Sequence, residues 1–139
     1  GLTDRHRRLL REALARGEEL RLGIRFVFVA DTLGSDLLVH WIERFPMDRS
    51  GQADVQWVAD GRIFHARLTL ALRTYEGVPL PDHAFAAVAT HEVGHAIGLP
   101  HSGDPQDVMY PTTRTAQLSA RDRSTARLLY SLPVGSIRP

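Results

Sequence analysis

Over the first twenty positions apolar residues return every three to four places, with Leu9, Leu10, Ala13 and Leu14 set among Arg and Glu. That spacing predicts an amphipathic helix from Thr3 to about Leu20, capped by Thr3 or Asp4. After Gly23 the period changes. Ile24 to Ala30 is β-branched and aromatic and predicts a strand, as does Leu37 to Ile42. Pro46 to Ala53 has the composition of a loop. Val55 to Ala59 and a long alternating run flank the dipeptide Asp60-Gly61, a strong hairpin signal. In that run Phe64, Ala66, Leu68, Leu70 and Leu72 share one face, while His65, Arg67 and Thr69 share the other. Tyr75 to Pro81 is a connector. Phe85, Val88, Ala89, Val93, Ala96 and Ile97 then recur at helical spacing from a capping Asp82 to Gly98. Leu99 to Gln117 shows little periodicity. A last helix is expected from Ser119 to about Tyr130, with Ser119 as N-cap, Asp122 in the capping-box position, and Leu128 and Leu129 as core contacts. This order of elements predicts a mixed α+β fold with an antiparallel element.

Composition narrows the picture. A chain of 139 residues, 43% hydrophobic and 24% charged, is the size of one domain, expected to span 1–139. Its net charge of +1 leaves no excess to hold a phosphate backbone. The basic run Arg5 to Arg8 with Arg11 is followed by Glu12, Glu18 and Glu19, so it reads as a solvated helix face, and no nucleic-acid partner is expected. The longest apolar run, Ala84 to Ala89, is far below the roughly 18 residues of a membrane span. No charged-then-apolar leader opens the chain. It begins at Gly1 rather than Met, which leaves open whether a signal or pro-segment precedes it. Seven His and no Cys exclude disulfide scaffolds, Cys-ligated zinc modules, thiol nucleophiles and CxxC redox chemistry. Any metal chemistry must use nitrogen and oxygen ligands.

The informative stretch is His91-Glu92-Val93-Gly94-His95-Ala96-Ile97-Gly98-Leu99-Pro100-His101. Residues four apart lie on one helix face, so His91 and His95 can present ring nitrogens to one ion. Glu92 neighbours the first ligand and is suited to take a proton from water on the metal. Gly98, free of a Cβ, can adopt a left-handed conformation and turn the chain so that His101 becomes the third ligand. Three imidazoles plus water form the open arrangement of a catalytic zinc rather than a closed structural site.

These residues resemble the metzincin zinc peptidases, whose pattern is HExxHxxGxxH followed by a Met-containing turn. Met109 lies eight residues beyond His101, in Val108-Met109-Tyr110-Pro111, and Ser102 follows the third His directly. Those details look like the matrixin, or matrix-metalloprotease-like, branch. The resemblance implies a zincin-type α+β catalytic domain, with an N-terminal subdomain over about 1–98 and a C-terminal one over about 99–139. It would hold a twisted mixed sheet with an antiparallel edge strand, an active-site helix and a C-terminal helix. It further implies a zinc-dependent metalloendopeptidase in which His91, His95 and His101 bind one Zn2+, Glu92 is general base and then acid, and Met109 forms a hydrophobic floor. In that mechanism zinc polarises the scissile carbonyl and acidifies its water while Glu92 accepts the proton. An extended peptide or protein substrate pairs with an edge strand, for which Ala66 to Leu70, with Ala66 and Leu68, is the best match. Tyr110 and Pro111 would border the pocket for the residue after the scissile bond, although Pro111-Thr112-Thr113 departs from the family's Pro-x-Tyr. No His lies between Pro46 and Ala59, where animal matrixins hold a second, structural zinc. Calcium stays compatible with the resemblance, but no residue pattern supports it. A monomer in a secreted or extracytoplasmic setting is the matching expectation.

Blander readings compete with each of these. Three unrelated surface histidines are disfavoured by the spacing and by Glu92, and a structural metal site by the absence of a fourth protein ligand. The alternative function is a catalytically weak, zinc-containing peptide-binding module on the same fold. Met109 alone would be a core gap-filler, and only its place after the motif raises it. His40 and His65 are expected to be ordinary strand residues, His6 and His83 solvent-facing, and Trp41 and Trp57 packing residues. Asp122 either caps its helix or bonds the Met-containing turn.

Overall fold

The computed structural model describes residues 2–30, 32–57 and 63–131. Its elements are α1 (Asp4–Glu18), a single 3-10 turn at Thr32–Gly34, β1 (Leu37–Ile42), β2 (Gly51–Trp57), β3 (Ile63–Ala71), α2 (Asp82–Ala96) and α3 (Ala120–Ser131). This is the α+β order that the periodicities predict.

The three strands form a mixed sheet in the order β1-β3-β2. β1 runs parallel to β3, with Val39 opposite Leu68, and β2 runs antiparallel, with Ala53 opposite Leu68. An antiparallel edge strand is therefore present, but it is β2. The segment Ala66 to Leu70, matched to an edge from the sequence, is the centre of the sheet, and Ala66 and Leu68 are 3% and 0% exposed. Its backbone is hydrogen-bonded on both flanks and cannot receive an added strand. Alternation reports which face of a strand is buried and is silent about its flanks, so it could not separate the two cases. β2 also starts earlier than its composition suggests, because Gly51 to Ala53 are held in register by Leu70 to Leu68. The expected Asp60-Gly61 turn lies outside the described residues.

Ile24 to Ala30 is a second correction. It joins no sheet among the described residues, and Val27, Phe28 and Val29 are exposed. Its β-forming side chains predict a strand only if a neighbouring strand supplies the ladder. Phe26 instead packs inward against both hydrophobic clusters, and Arg11 lies over the Phe28 ring at 5.4 Å.

α2 is buried nearly all round, because α1 packs on one side of it and β2 and β3 on the other. The first cluster joins Leu9, Leu10, Ala13 and Leu14 of α1 to Leu68 and Leu70 of β3 and to Phe85, Ala89 and Val93 of α2. His6 belongs to this layer rather than to solvent. Only 5% exposed, it meets the Phe85 ring edge-on at 5.3 Å, and its Nδ1 accepts the Thr3 N–H at 3.2 Å, which closes the cap of α1. Trp41 stacks on Phe85 at 5.9 Å, as a packing residue should.

A second cluster lies below the end of α2 and gathers Leu20, Ile97, Leu99, Val108, Met109, Leu118 and Ala126. α3 meets it through Asp122, Ala126 and Leu129, spaced four and three residues apart. Leu128 falls off that stripe and is 64% exposed, contrary to its expected core role.

Candidate active site

The site is built on the last turns of α2. Pro81 occupies the N-cap position, and Asp82 opens the helix, pairing with Arg5 at 3.2 Å. At the other end Gly98 has φ 103°, a value that residues with a Cβ rarely adopt. The Gly98 N–H bonds the His95 carbonyl at 3.0 Å and the Leu99 N–H the Gly94 carbonyl at 2.9 Å, the two bonds of a Schellman motif. This reversal is what the sequence assigns to Gly98.

The chain beyond the reversal brings His101 to the two helical histidines. Ring centroids are 4.7 Å apart for His91 and His95, 5.3 Å for His91 and His101, and 4.7 Å for His95 and His101. One ring nitrogen from each lies within 4.8 Å of the others. His91 Nδ1 meets the Val108 carbonyl at 2.7 Å, and His95 Nδ1 meets the Leu99 carbonyl at 2.8 Å. A carbonyl can only accept, so each Nδ1 carries the proton and each Nε2 keeps a free lone pair. Burial pushes His91 below its ordinary pKa. Burial, with the neighbouring His91, pushes His95 down to about 4. Both rings are thus neutral near pH 7, the form that binds a metal. His91 is buried, His95 intermediate and His101 exposed, so the cluster opens to solvent on the His101 side. Three imidazoles, with no sulfur and no fourth protein ligand among the described residues, fit zinc in an open site.

Glu92 is 7% exposed, and burial raises its carboxyl to about 7, against the opposing charge of Arg49. A carboxyl near neutrality suits a group that takes and returns a proton. Gly94 has a different task. A Cβ there would run into the Met109 sulfur, so the glycine lets Met109, 2% exposed, lie against the helix that carries His91 and His95.

The irregular segment after His101 is held by two buried acids. The Asp122 carboxylate accepts the Val108 N–H at 2.8 Å, the Met109 N–H at 3.4 Å and the Ser119 N–H at 3.0 Å. Asp122 therefore bonds the Met-containing turn and also caps its own helix, where Ser119 Oγ accepts the Asp122 N–H at 3.0 Å. Asp107, 1% exposed, accepts hydroxyl protons from Ser102 and, at 2.6 Å, from Ser119, and lies 3.4 Å from Arg121. Burial alone would raise its pKa, but these partners outweigh it and hold the carboxyl below its ordinary value. Ser102, next to the third histidine, also donates its N–H to the Met109 carbonyl at 2.8 Å.

The structure thus gathers His91, His95 and His101 with Glu92 beside them in the chain and Met109 against α2. Tyr110 is half-buried and Pro111 exposed in the same loop, whereas Ala66 and Leu68 sit inside the sheet. Two contributors have no part in the sequence reading: Gly94 and Asp107. Gly94 had a signal, since a glycine inside an otherwise apolar helix marks a close approach. Asp107 had none.

Known proteins agree with this geometry. The matrixin family model matches residues 52–131, more than half of the chain. Macrophage metalloelastase of Rattus norvegicus is 48% identical over 52 residues, covering 34% of this chain and 11% of its own length. Matrix metalloproteinase-26 of Homo sapiens is 52% identical over 48 residues, covering 31% and 18%. Metalloendoproteinase 1 of Glycine max is 34% identical over 84 residues, covering 58% and 24%. These matches take in less than a quarter of each relative, and the family model's span holds the three histidines, the loop of Met109 and α3. By that match, and by the histidine cluster it encloses, the chain belongs to the matrixin family.

Proposed function

We propose that the chain is a zinc-dependent metalloendopeptidase in which Glu92 is general base and then general acid. The observation that carries this reading is the meeting of three ligand-competent histidines within 4.8 Å, with a buried carboxylate next to the first of them in the chain. His91, His95 and His101 would hold the ion, and zinc in that place supplies Lewis-acid polarisation of the scissile carbonyl and of the attacking water. Glu92 accepts a proton as the water oxygen bonds the carbonyl carbon. When the C–N bond breaks, the same carboxyl returns the proton to the leaving nitrogen. Met109 forms the apolar floor.

Substrate binding follows the corrected sheet. The flank of β2 away from β3 pairs with no described strand, and β2 packs against α2. An extended peptide would add to that flank antiparallel, with main-chain hydrogen bonds giving affinity. Tyr110 and Pro111 would border the pocket for the residue after the cleavage point. The names metalloelastase and metalloendoproteinase among the relatives support the reaction type, and matrixin membership supports a secreted or extracytoplasmic setting.

The test is to incubate the zinc-loaded protein with a denatured protein pool and to count new N-termini by mass spectrometry. Cleavage should vanish with a chelator and return with zinc. A protein carrying one zinc per chain that binds peptides and leaves the pool uncut would replace this reading with the peptide-binding module.

A further inference from the structure

We propose, resting on the peptidase reading above, that Gly51 is a positioning residue for Glu92: the missing side chain at the start of β2 makes the space that the Glu92 side chain occupies. Register puts Gly51, Ala53 and Val55 opposite Leu70, Leu68 and Ala66, whose side chains are buried. These β2 positions therefore share the sheet face that is packed on α2. A Cβ built on Gly51 would lie 2.6 Å from Val88 Cγ1, 2.8 Å from Glu92 Oε2 and 2.9 Å from Glu92 Cγ. Ordinary carbon contacts are about 3.5–4.0 Å. Val88 and Glu92 are four apart on α2 and so share the face that meets this point.

Backbone conformation does not explain the glycine. Gly23, Gly77 and Gly98 have positive φ, and Gly51 does not. A glycine inside a strand weakens it and marks a place where another group comes close. Here the close group is the carboxylate with its Cγ. The Cγ contact is decisive, because a small rotation of the carboxylate alone relieves Oε2 and leaves Cγ still too near. An alanine at 51 must therefore swing the whole Glu92 side chain to another rotamer, while His91 and His95, on other contacts, stay as they are.

The experiment compares Gly51→Ala, Val88→Ala, Glu92→Ala and the doubles of Gly51→Ala with each of the other two. Zinc affinity is read by chelator competition, kcat and KM on a quenched peptide, and thermal melting on the zinc-loaded protein. Gly51→Ala should keep zinc affinity and KM within about twofold while kcat falls at least tenfold, part of the roughly 10²–10⁴-fold a general base supplies. The double with Val88→Ala removes the other clash and should show the same kcat loss relative to Val88→Ala alone, which keeps the test open if Gly51→Ala folds poorly. In melting, Gly51→Ala should cost several degrees in the wild-type background and measurably less when residue 92 is Ala, the remainder coming from the Val88 contact that both backgrounds keep. Equal melting losses in the two backgrounds, or full kcat in the double with Val88→Ala, would overturn the proposal. The melting arm needs no substrate, so it decides the role of Gly51 even if the peptidase reading fails.

Discussion

Asp122→Ala removes the acceptor that fastens the Met109 loop to α3. Three backbone N–H groups lose their partner: those of Val108, Met109 and Ser119, at 2.8, 3.4 and 3.0 Å. Ser119 is half-buried and can turn to water, but Val108 and Met109 are 0% and 2% exposed. Stranding a buried donor costs about 1–3 kcal/mol. The Met109 bond is long and counts at the low end, so the sum is about 2–4 kcal/mol against a usual total stability of about 5–15 kcal/mol. For a chain of this size, with about 4 °C per kcal/mol, the melting temperature should fall by roughly 8–16 °C. Asp122→Asn keeps one acceptor oxygen and should lose about half as much. Zinc affinity should weaken as well, because the Val108 carbonyl that orients His91 belongs to the same loop. Circular dichroism melts of the three zinc-loaded proteins read the effect. An Asp122→Ala protein melting within about 2 °C of the wild type, a tolerance set by about 4 °C per kcal/mol, would refute the reasoning.

Two further outcomes follow from single residues. By helix propensity alone Gly94→Ala should stabilise α2 by about 1 kcal/mol; the clash with the Met109 sulfur reverses the sign, and Met109→Ala in the same chain should restore the gain, as denaturant titration of the four proteins will show. Burial, with Arg5 adding to it, holds His6 below its ordinary pKa, so the unfolded chain binds the proton more readily, and stability present above pH 6.5 is lost as the pH falls below it. Melts between pH 7.5 and 5.5 should therefore slope less for His6→Gln than for the wild type, and equal slopes would remove His6 as a contributor.

Much of the site could be read in advance because its geometry is local. His91 and His95 are one helical turn apart, and Gly98 lies three residues from both His95 and His101, so spacing alone carries the information. The helices were legible for the same reason, since α1 and α2 each repeat a pattern over fifteen residues. What was not legible depends on partners distant in sequence. Ile24 to Ala30 has strand composition and no strand beside it, while β3 has the alternation of an edge and lies in the middle. His6 is buried because Trp41 and Phe85 come to it from two other elements. Gly51 looked like loop punctuation, and its meaning appears only when α2 is laid against β2. Asp107 sits where no period exists, and its three side-chain partners, Ser102, Ser119 and Arg121, come from the loop, the cap of α3 and α3 itself. Local periodicity fixes elements and faces; neighbours across the fold decide edges, buried polar groups and close approaches.

The most direct test of the central claim is to measure zinc content and kcat/KM together for the wild type and Glu92→Ala. The account predicts about one zinc per chain in both, from three histidine ligands that the substitution leaves untouched, and a kcat/KM lower by roughly 10²–10⁴-fold in the variant. Equal kcat/KM at equal zinc content would contradict it.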